Sequence, residues 1–163
     1  MIPIAAQELR ASFTNVSLRE RKAIVLPSEF DALRWDDLDY LGWRDPKLPE
    51  VGYVVAQLDD GPAGVLLRQS ASRTQSRPQC SWCEDVTLPN DVVYFTAKRT
   101  GAAGRSGNTV ATLLCSNFEC STNVRKLPPV AYPGFDREAA KLKRIETLQL
   151  RARTFIEGIR DGD

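Results

Sequence analysis

The sequence predicts an α+β protein, and three observations carry that reading: two stretches of β-branched and aromatic residues interrupted by turns, an amphipathic pattern near the C-terminus, and four cysteines in two close pairs. At 163 residues, with 42% apolar and 26% charged residues, the chain is long enough for one domain, or a domain plus a small module, around a real core. Three parts are expected: an N-terminal helical segment plus a β-hairpin forming a small α/β subdomain over 1–72, a cysteine-bearing module over 73–131, and an amphipathic helix over 132–163.

Taken in order, Pro3 ahead of AAQELRAS suits a first helical turn, and Ser17-Leu-Arg-Glu20 reads as a capping box opening a second short helix that stops before Pro27. A third short helical piece follows Ser28. The stretch from Trp35 to Pro46 mixes acids with Trp35, Tyr40, Leu41 and Trp43 and reads as packed loop or broken helix, with both tryptophans as core anchors. Val51–Leu58 is a strand, 59–64 carries turn chemistry, and 65–69 resumes a strand, giving a first hairpin. Ser70 to Arg77 reads as a linker.

Beyond the first cysteine pair, 91–97 and 109–114 read as two strands joined by a glycine-containing tip, a second hairpin. After Pro128-Pro129, Asp136 caps a helix in which Leu142, Ile145, Leu148, Ala152, Phe155 and Ile159 recur at spacings of three and four. Its opposite face carries Arg137, Lys141, Arg144 and Arg151. No internal repeat or low-complexity tract interrupts this pattern.

Composition narrows the function. There is no run of about 18 apolar residues and no basic-then-apolar leader, so a cytoplasmic location with neither a membrane partner nor a secretory signal is expected. The formal charge of +1 falls to about −1 once four thiolates share one divalent ion. Its distribution is more informative: residues 71–131 hold 7 Lys/Arg against 4 Asp/Glu, while 1–70 hold 8 against 11. The absence of histidine removes Ser-His-Asp and Cys-His arrangements and the commonest general base, so an enzyme acting on a small-molecule substrate is not expected.

Cys80 and Cys83 form C-x2-C, and Cys115 and Cys120 form C-x4-C after a gap of 31 residues. Pairs so closely spaced are what a tetrahedral ion needs from two short turns, and thiolate sulfurs suit zinc. One pair precedes a hairpin and the other lies between its second strand and a short helix near Cys120, which is the order of a treble-clef zinc finger. Two disulfides, a redox pair at Cys80 and Cys83, or an iron–sulfur cluster are the competing readings. One zinc with four protein ligands leaves no open position and is structural rather than catalytic.

Gly101 to Gly107 could cradle a phosphate, but such loops open a helix and here a strand follows, so a flexible hairpin tip is expected, with Arg99 and Arg105 as exposed charge. Lys98, Arg99, Arg105, Arg125 and Lys126 lie in sequence beside Trp82, Tyr94, Phe95 and Phe118, a mixture that binds RNA or anchors a protein interface. Either Tyr94 or Phe95, whichever faces inward, belongs to the core.

With the cysteines placed, Arg77-Pro-Gln-Cys-Ser-Trp-Cys83, Val92-Val-Tyr-Phe-Thr-Ala97, the segment from Gly107 to Cys115 and Cys120-Ser-Thr-Asn-Val124 resemble the zinc-finger domain of the FusB-type elongation factor G-binding proteins. Leu41-Gly-Trp-Arg-Asp-Pro46 and Gly52-Tyr-Val-Val55 extend the resemblance to roughly 35–130. It implies a four-cysteine finger beside an α/β subdomain that binds elongation factor G and, in resistance members, helps free the factor from ribosomes stalled by fusidic acid. Trp82 occupies the aromatic position before the second cysteine where relatives place a contact residue, and Arg105 and Thr109 lie near a stretch that relatives also use. The first expectation is therefore that Trp82, Phe118 and the neighbouring basic residues dock on the factor. The alternative is direct binding of RNA or the ribosome by the same basic finger, and a third reading is an oxidoreductase working through Cys80 and Cys83.

Overall fold

A computed structural model describes residues 1–71, 78–86 and 89–162. The expected linker of 70–77 and the boundary near 72 fall largely outside the described residues. Helix α1 (Ala6–Ala11) and helix α2 (Leu18–Ala23) come first. Ser17 accepts from the Glu20 backbone N–H and Glu20 Oε2 accepts from the Ser17 N–H at 2.8 Å, so the capping box forms as the sequence predicts. Single 3-10 turns at Phe30–Ala32 and Trp35–Asp37 follow.

Five antiparallel strands then build one sheet in sequence order: β1 (Leu41–Arg44), β2 (Val51–Leu58), β3 (Gly61–Gln69), β4 (Val92–Lys98) and β5 (Thr109–Cys115). Strand β1 corrects the loop reading of 35–46: it is too short and too rich in glycine and charge to show an alternating pattern, and it pairs Leu41 with Val55 through Arg44 with Gly52. In β2, Val51, Tyr53 and Val55 face a core shared with α1 and the N-terminal turns, while Val54, Ala56 and Leu58 face a second core. Burial on both faces explains its nearly continuous apolar run.

The second core holds helix α4 (Cys120–Arg125), helix α5 (Arg137–Arg160) and all four cysteines. Asp136 accepts from the Ala139 N–H at 2.9 Å and caps α5. The buried stripe is Leu148, Ala152, Ile156 and Ile159, with Ile145 and Phe155 packed beside it. Leu142, expected in that stripe, is 58% exposed, in the early part of α5 where Arg137 Nε donates to Pro128 O at 2.7 Å. No helix among the described residues is long and apolar enough to cross a membrane.

The glycine-containing tip is not a loose loop but a short helix, α3 (Gly101–Arg105). Gly101 and Gly107 hold φ of +62° and +87° at its two ends, and a Cβ on Gly104 would fall 1.8 Å from the Arg99 carbonyl oxygen. The segment entering α3 closes the end of α5: the Thr100 N–H donates to Ile159 O at 3.1 Å, the Thr100 hydroxyl to Arg160 O, and Arg99 Nη1 to Gly158 O at 2.7 Å. These donors satisfy carbonyls that a helix C-terminus leaves unpaired.

Candidate metal centre and partner surface

Two knuckles bring the cysteines together. In the first, the Glu84 N–H donates to Cys80 O at 3.0 Å, and the Ser81 N–H donates to Leu113 O at 2.8 Å, which fastens the turn to β5. In the second, β5 delivers Cys115, the Phe118 N–H closes a turn on Cys115 O at 3.0 Å, and α4 begins at Cys120. Each knuckle holds one non-glycine residue at positive φ, Glu84 at 56° and Phe118 at 62°, a conformation kept only where the surroundings enforce it.

All four Sγ atoms lie within 4.8 Å of one another, with Cys80–Cys120 at 3.6 Å and Cys83–Cys115 at 3.7 Å. A tetrahedron with metal–sulfur bonds of about 2.3 Å has edges of about 3.8 Å, so the four sulfurs fit one zinc ion. The cysteines are free rather than paired in disulfides, whose sulfurs stand about 2.05 Å apart. Asn123, one turn into α4, points its Nδ2 at Cys115 Sγ (3.5 Å) and Cys83 Sγ (3.8 Å). An amide donor beside two thiolates supplies the outer-shell support that such sites need.

The electrostatics also call for a cation. Hydrogen bonds from Cys115, Cys120 and Cys83 hold the Cys80 thiol far below the ordinary range, and the Cys115 contact brings Cys83 to about 7. Contacts with Cys115, Cys80 and Cys83, together with burial, push Cys120 well up. Four buried sulfurs this close cannot all carry negative charge unless a divalent ion among them offsets the repulsion. Tyr40, buried behind the cluster, has its hydroxyl pushed well up by burial and by the nearby Cys120, and it donates to Phe118 O at 3.3 Å.

The structure sorts the remaining expected residues into two groups. Trp82, at 2% exposure, packs against Tyr40 (4.9 Å between centroids) and Phe155 (5.5 Å), and Phe118, at 6%, stacks on Phe95 at 5.3 Å. Both are therefore corrected from contact aromatics to core residues. Tyr94 is the outward member of the Tyr94–Phe95 pair, at 37% exposure. Arg125 is held by Asp39, with Nη1 at 2.5 Å and Nη2 at 3.3 Å from its two oxygens, and Asp39 also accepts from Gln149 at 2.9 Å. Its charge is thus engaged in the fold.

Arg99, Arg105 and Thr109 come together on one groove, with Lys98 beside them, whereas Lys126 stands apart on a second surface with Val86, Leu127 and Arg144. The expected basic face of α5 is largely paired: Arg144 with Asp85 at 2.8 Å and Arg151 with Glu84 at 2.5 Å, which bind the helix to the first knuckle. Asn123 and Asp39 went unnoticed in the sequence. The spacing Cys120-x-x-Asn123, which sets the amide one turn along a helix from a ligand, was the signal available for the first.

A family profile described as the FBP C-terminal treble-clef zinc-finger matches residues 8–159. Among curated proteins none matches the sequence. Among solved structures, that of the fusidic acid resistance protein FusC superposes with a TM-score of 0.54 at 19% identity, covering 74% of this chain and 52% of that one. The chain therefore spans about half the length of that protein. At this identity the likeness concerns the fold.

Proposed function

The chain belongs to the FBP C-terminal treble-clef zinc-finger family, and from that premise we propose that it binds translation elongation factor G and thereby promotes the factor's release from the ribosome. The observation that carries this reading is a four-sulfur site of zinc dimensions buried in the second core, with α4 and α5. Zinc there fixes the relation of β4, β5, α4 and α5, and so presents a preorganised surface; preorganisation lowers the ordering cost of docking.

The role is binding rather than catalysis. Four thiolate ligands leave the ion no position for water or substrate, and the chain contains no histidine. A protein partner is favoured over RNA because base recognition on single strands relies on exposed aromatics, and of the expected set Trp82, Phe95 and Phe118 are buried, which leaves Tyr94 alone facing outward.

Calorimetric titration of the zinc-loaded protein with purified elongation factor G, in parallel with Cys115→Ser, tests the proposal. One-to-one, zinc-dependent binding without ribosomes is the expected result. Failure to bind the free factor, together with steeply salt-sensitive binding to ribosomes or RNA, would overturn it in favour of direct RNA recognition.

A further inference from the structure

The sheet is not evenly zipped. Strands β2 and β3 pair from Val51–Arg68 to Leu58–Gly61, and β4 and β5 pair from Val92–Cys115 to Lys98–Thr109, but among the described residues the β3–β4 ladder is limited to Arg68–Thr96 and Gln69–Phe95, with the Ser70 N–H donating to Tyr94 O at 2.8 Å next to it. Beyond Thr96 the two strands diverge. Asn15 fills the fork: its Oδ1 accepts from the Leu66 N–H at 2.8 Å, and its Nδ2 donates to Leu66 O at 3.0 Å and Lys98 O at 3.2 Å. One side chain thus satisfies the backbone groups that the lost ladder would leave unpaired.

Above this fork lies a groove of about 550 Å³, walled by β3 and residues 14–20 on one side and by the end of β4, α3 and Thr109 on the other. It contains four cations, Arg68, Lys98, Arg99 and Arg105, against one carboxylate, Glu20. Glu20 is engaged by the Ser17 N–H and hydroxyl and lies 3.9 Å from Arg68. Arg99 is anchored at the end of α5. Lys98 and Arg105 are exposed and form no ion pair among the described residues. The groove is therefore a concave, net positive site, of the size that accommodates a few side chains of an extended segment.

The geometry points to this groove as the docking site for an acidic peptide segment of the protein partner, with Lys98 and Arg105 as its principal cations and Arg68 and Arg99 as support. Charge complementarity selects an acidic occupant. The lining contains no aromatic side chain on which a base could stack, which favours a peptide over single-stranded nucleic acid. The identity of the partner rests on the factor-binding reading; the preference of the groove for an acidic peptide does not.

The test uses the full zinc-loaded chain, the variant K98E/R105E, the milder K98Q/R105Q, and K143E as a control on an exposed, distant part of α5. Melting temperature and zinc content should match across all four, because every altered side chain is solvent-exposed. A hexaglutamate peptide should bind the wild type and K143E alike, lose about tenfold or more in K98E/R105E, and lose an intermediate amount in K98Q/R105Q. Absence of peptide binding, equal binding by K98E/R105E, or tighter binding of a uridine hexanucleotide at the same ionic strength would overturn the proposal. With elongation factor G as the second ligand, the same rank order and competition by the peptide are expected. Factor binding that is insensitive to both charge variants and to the peptide would overturn the groove while leaving the factor-binding reading standing. Peptide binding without any factor binding would do the reverse.

Discussion

Phe118 lies directly on Gly42: a Cβ built on that glycine would approach Phe118 Cβ to 2.6 Å and Cγ to 2.7 Å. Gly52, paired with Arg44 on the neighbouring strand, completes the platform, since its Cβ would stand 2.5 Å from Phe118 Cζ. Arg44 lies over the stacked Phe95–Phe118 pair, with its guanidinium 4.6 Å from the Phe95 ring centroid and 5.8 Å from that of Phe118. The second knuckle thus rests on the sheet through a single aromatic ring held at positive φ.

Gly42→Ala should therefore destabilise the protein by about 1–3 kcal/mol, because the clash involves the root of the Phe118 side chain rather than a mobile tip. Thermal melting should fall by about 2–4 °C for each kcal/mol lost in a domain of this size. Since Phe118 lies between Cys115 and Cys120, the same variant should also release zinc faster to a chelator. Gly158→Ala is the contrast. Its Cβ meets nothing within 4 Å in the interior of α5, so it should be neutral or stabilising by up to about 1 kcal/mol. Equal melting of the two variants would count against the platform.

Legibility from sequence followed the range of the interactions. The capping box at Ser17 and Glu20, the cap at Asp136, the strands of both hairpins and the four ligands are set by spacing within a few residues, and each could be read directly. What was misread depends on contacts far along the chain. Strand β1 exists because β2 offers it an edge, the entry to the 101–105 helix is fixed because Arg99 and Thr100 bond the end of α5, and Trp82 is buried because Tyr40 and Phe155 close over it. The candidate groove was legible only as a list of cations; that Arg105 and Lys98 face Arg68 across one groove follows from the fork held by Asn15 between Leu66 and Lys98.

Asn123 should control zinc affinity without being a ligand. Asn123→Asp keeps the shape but replaces an amide donor by a carboxylate beside Cys115 and Cys83. Loss of such outer-shell support typically costs 10- to 100-fold in metal affinity, about 1.4–2.7 kcal/mol. Competition titration against a chromogenic chelator measures it, and affinity unchanged from the wild type would show that the N–H···S contacts are incidental. Acidification should weaken zinc binding in both proteins, because each thiol must lose its proton to ligate as a thiolate.

Arg125→Ala should act through stability. The variant leaves Asp39 buried beneath α5 with Gln149 as its remaining charge-neutral donor and the Ser121 hydroxyl engaged instead by the Asp39 N–H. Removing one partner of such a pair costs about 3–5 kcal/mol, and the lower end applies here because Arg125 is partly exposed. Asp39→Asn in the same chain should recover part of the loss, since it removes the stranded charge. A binding defect in Arg125→Ala that persists at temperatures where the variant is fully folded would instead return Arg125 to the contact surface.

Asp45 should set part of the acid limit of stability. Burial alone would raise its carboxyl, but the Tyr53 hydroxyl at 2.8 Å and the Lys47 and Leu48 N–H groups at 2.8 and 3.1 Å stabilise the charged form and hold it below its ordinary value. The same pair pushes the Tyr53 hydroxyl well up, burial being the larger cause. A carboxylate depressed in the folded state contributes stability that is fully present above its unfolded value of about 3.9 and is lost as pH falls through its lower folded value. Asp45→Asn should therefore cost about 1.5–3 kcal/mol at neutral pH, the range for hydrogen bonds to a charged group. That difference should begin to shrink as pH drops below about 4, where the unfolded chain takes up the proton, and should be gone only below the lower folded value. Urea midpoints measured across pH 2–7 provide the check: a constant offset between the two proteins would mean that the turn at 45–48 is held by shape rather than by charge.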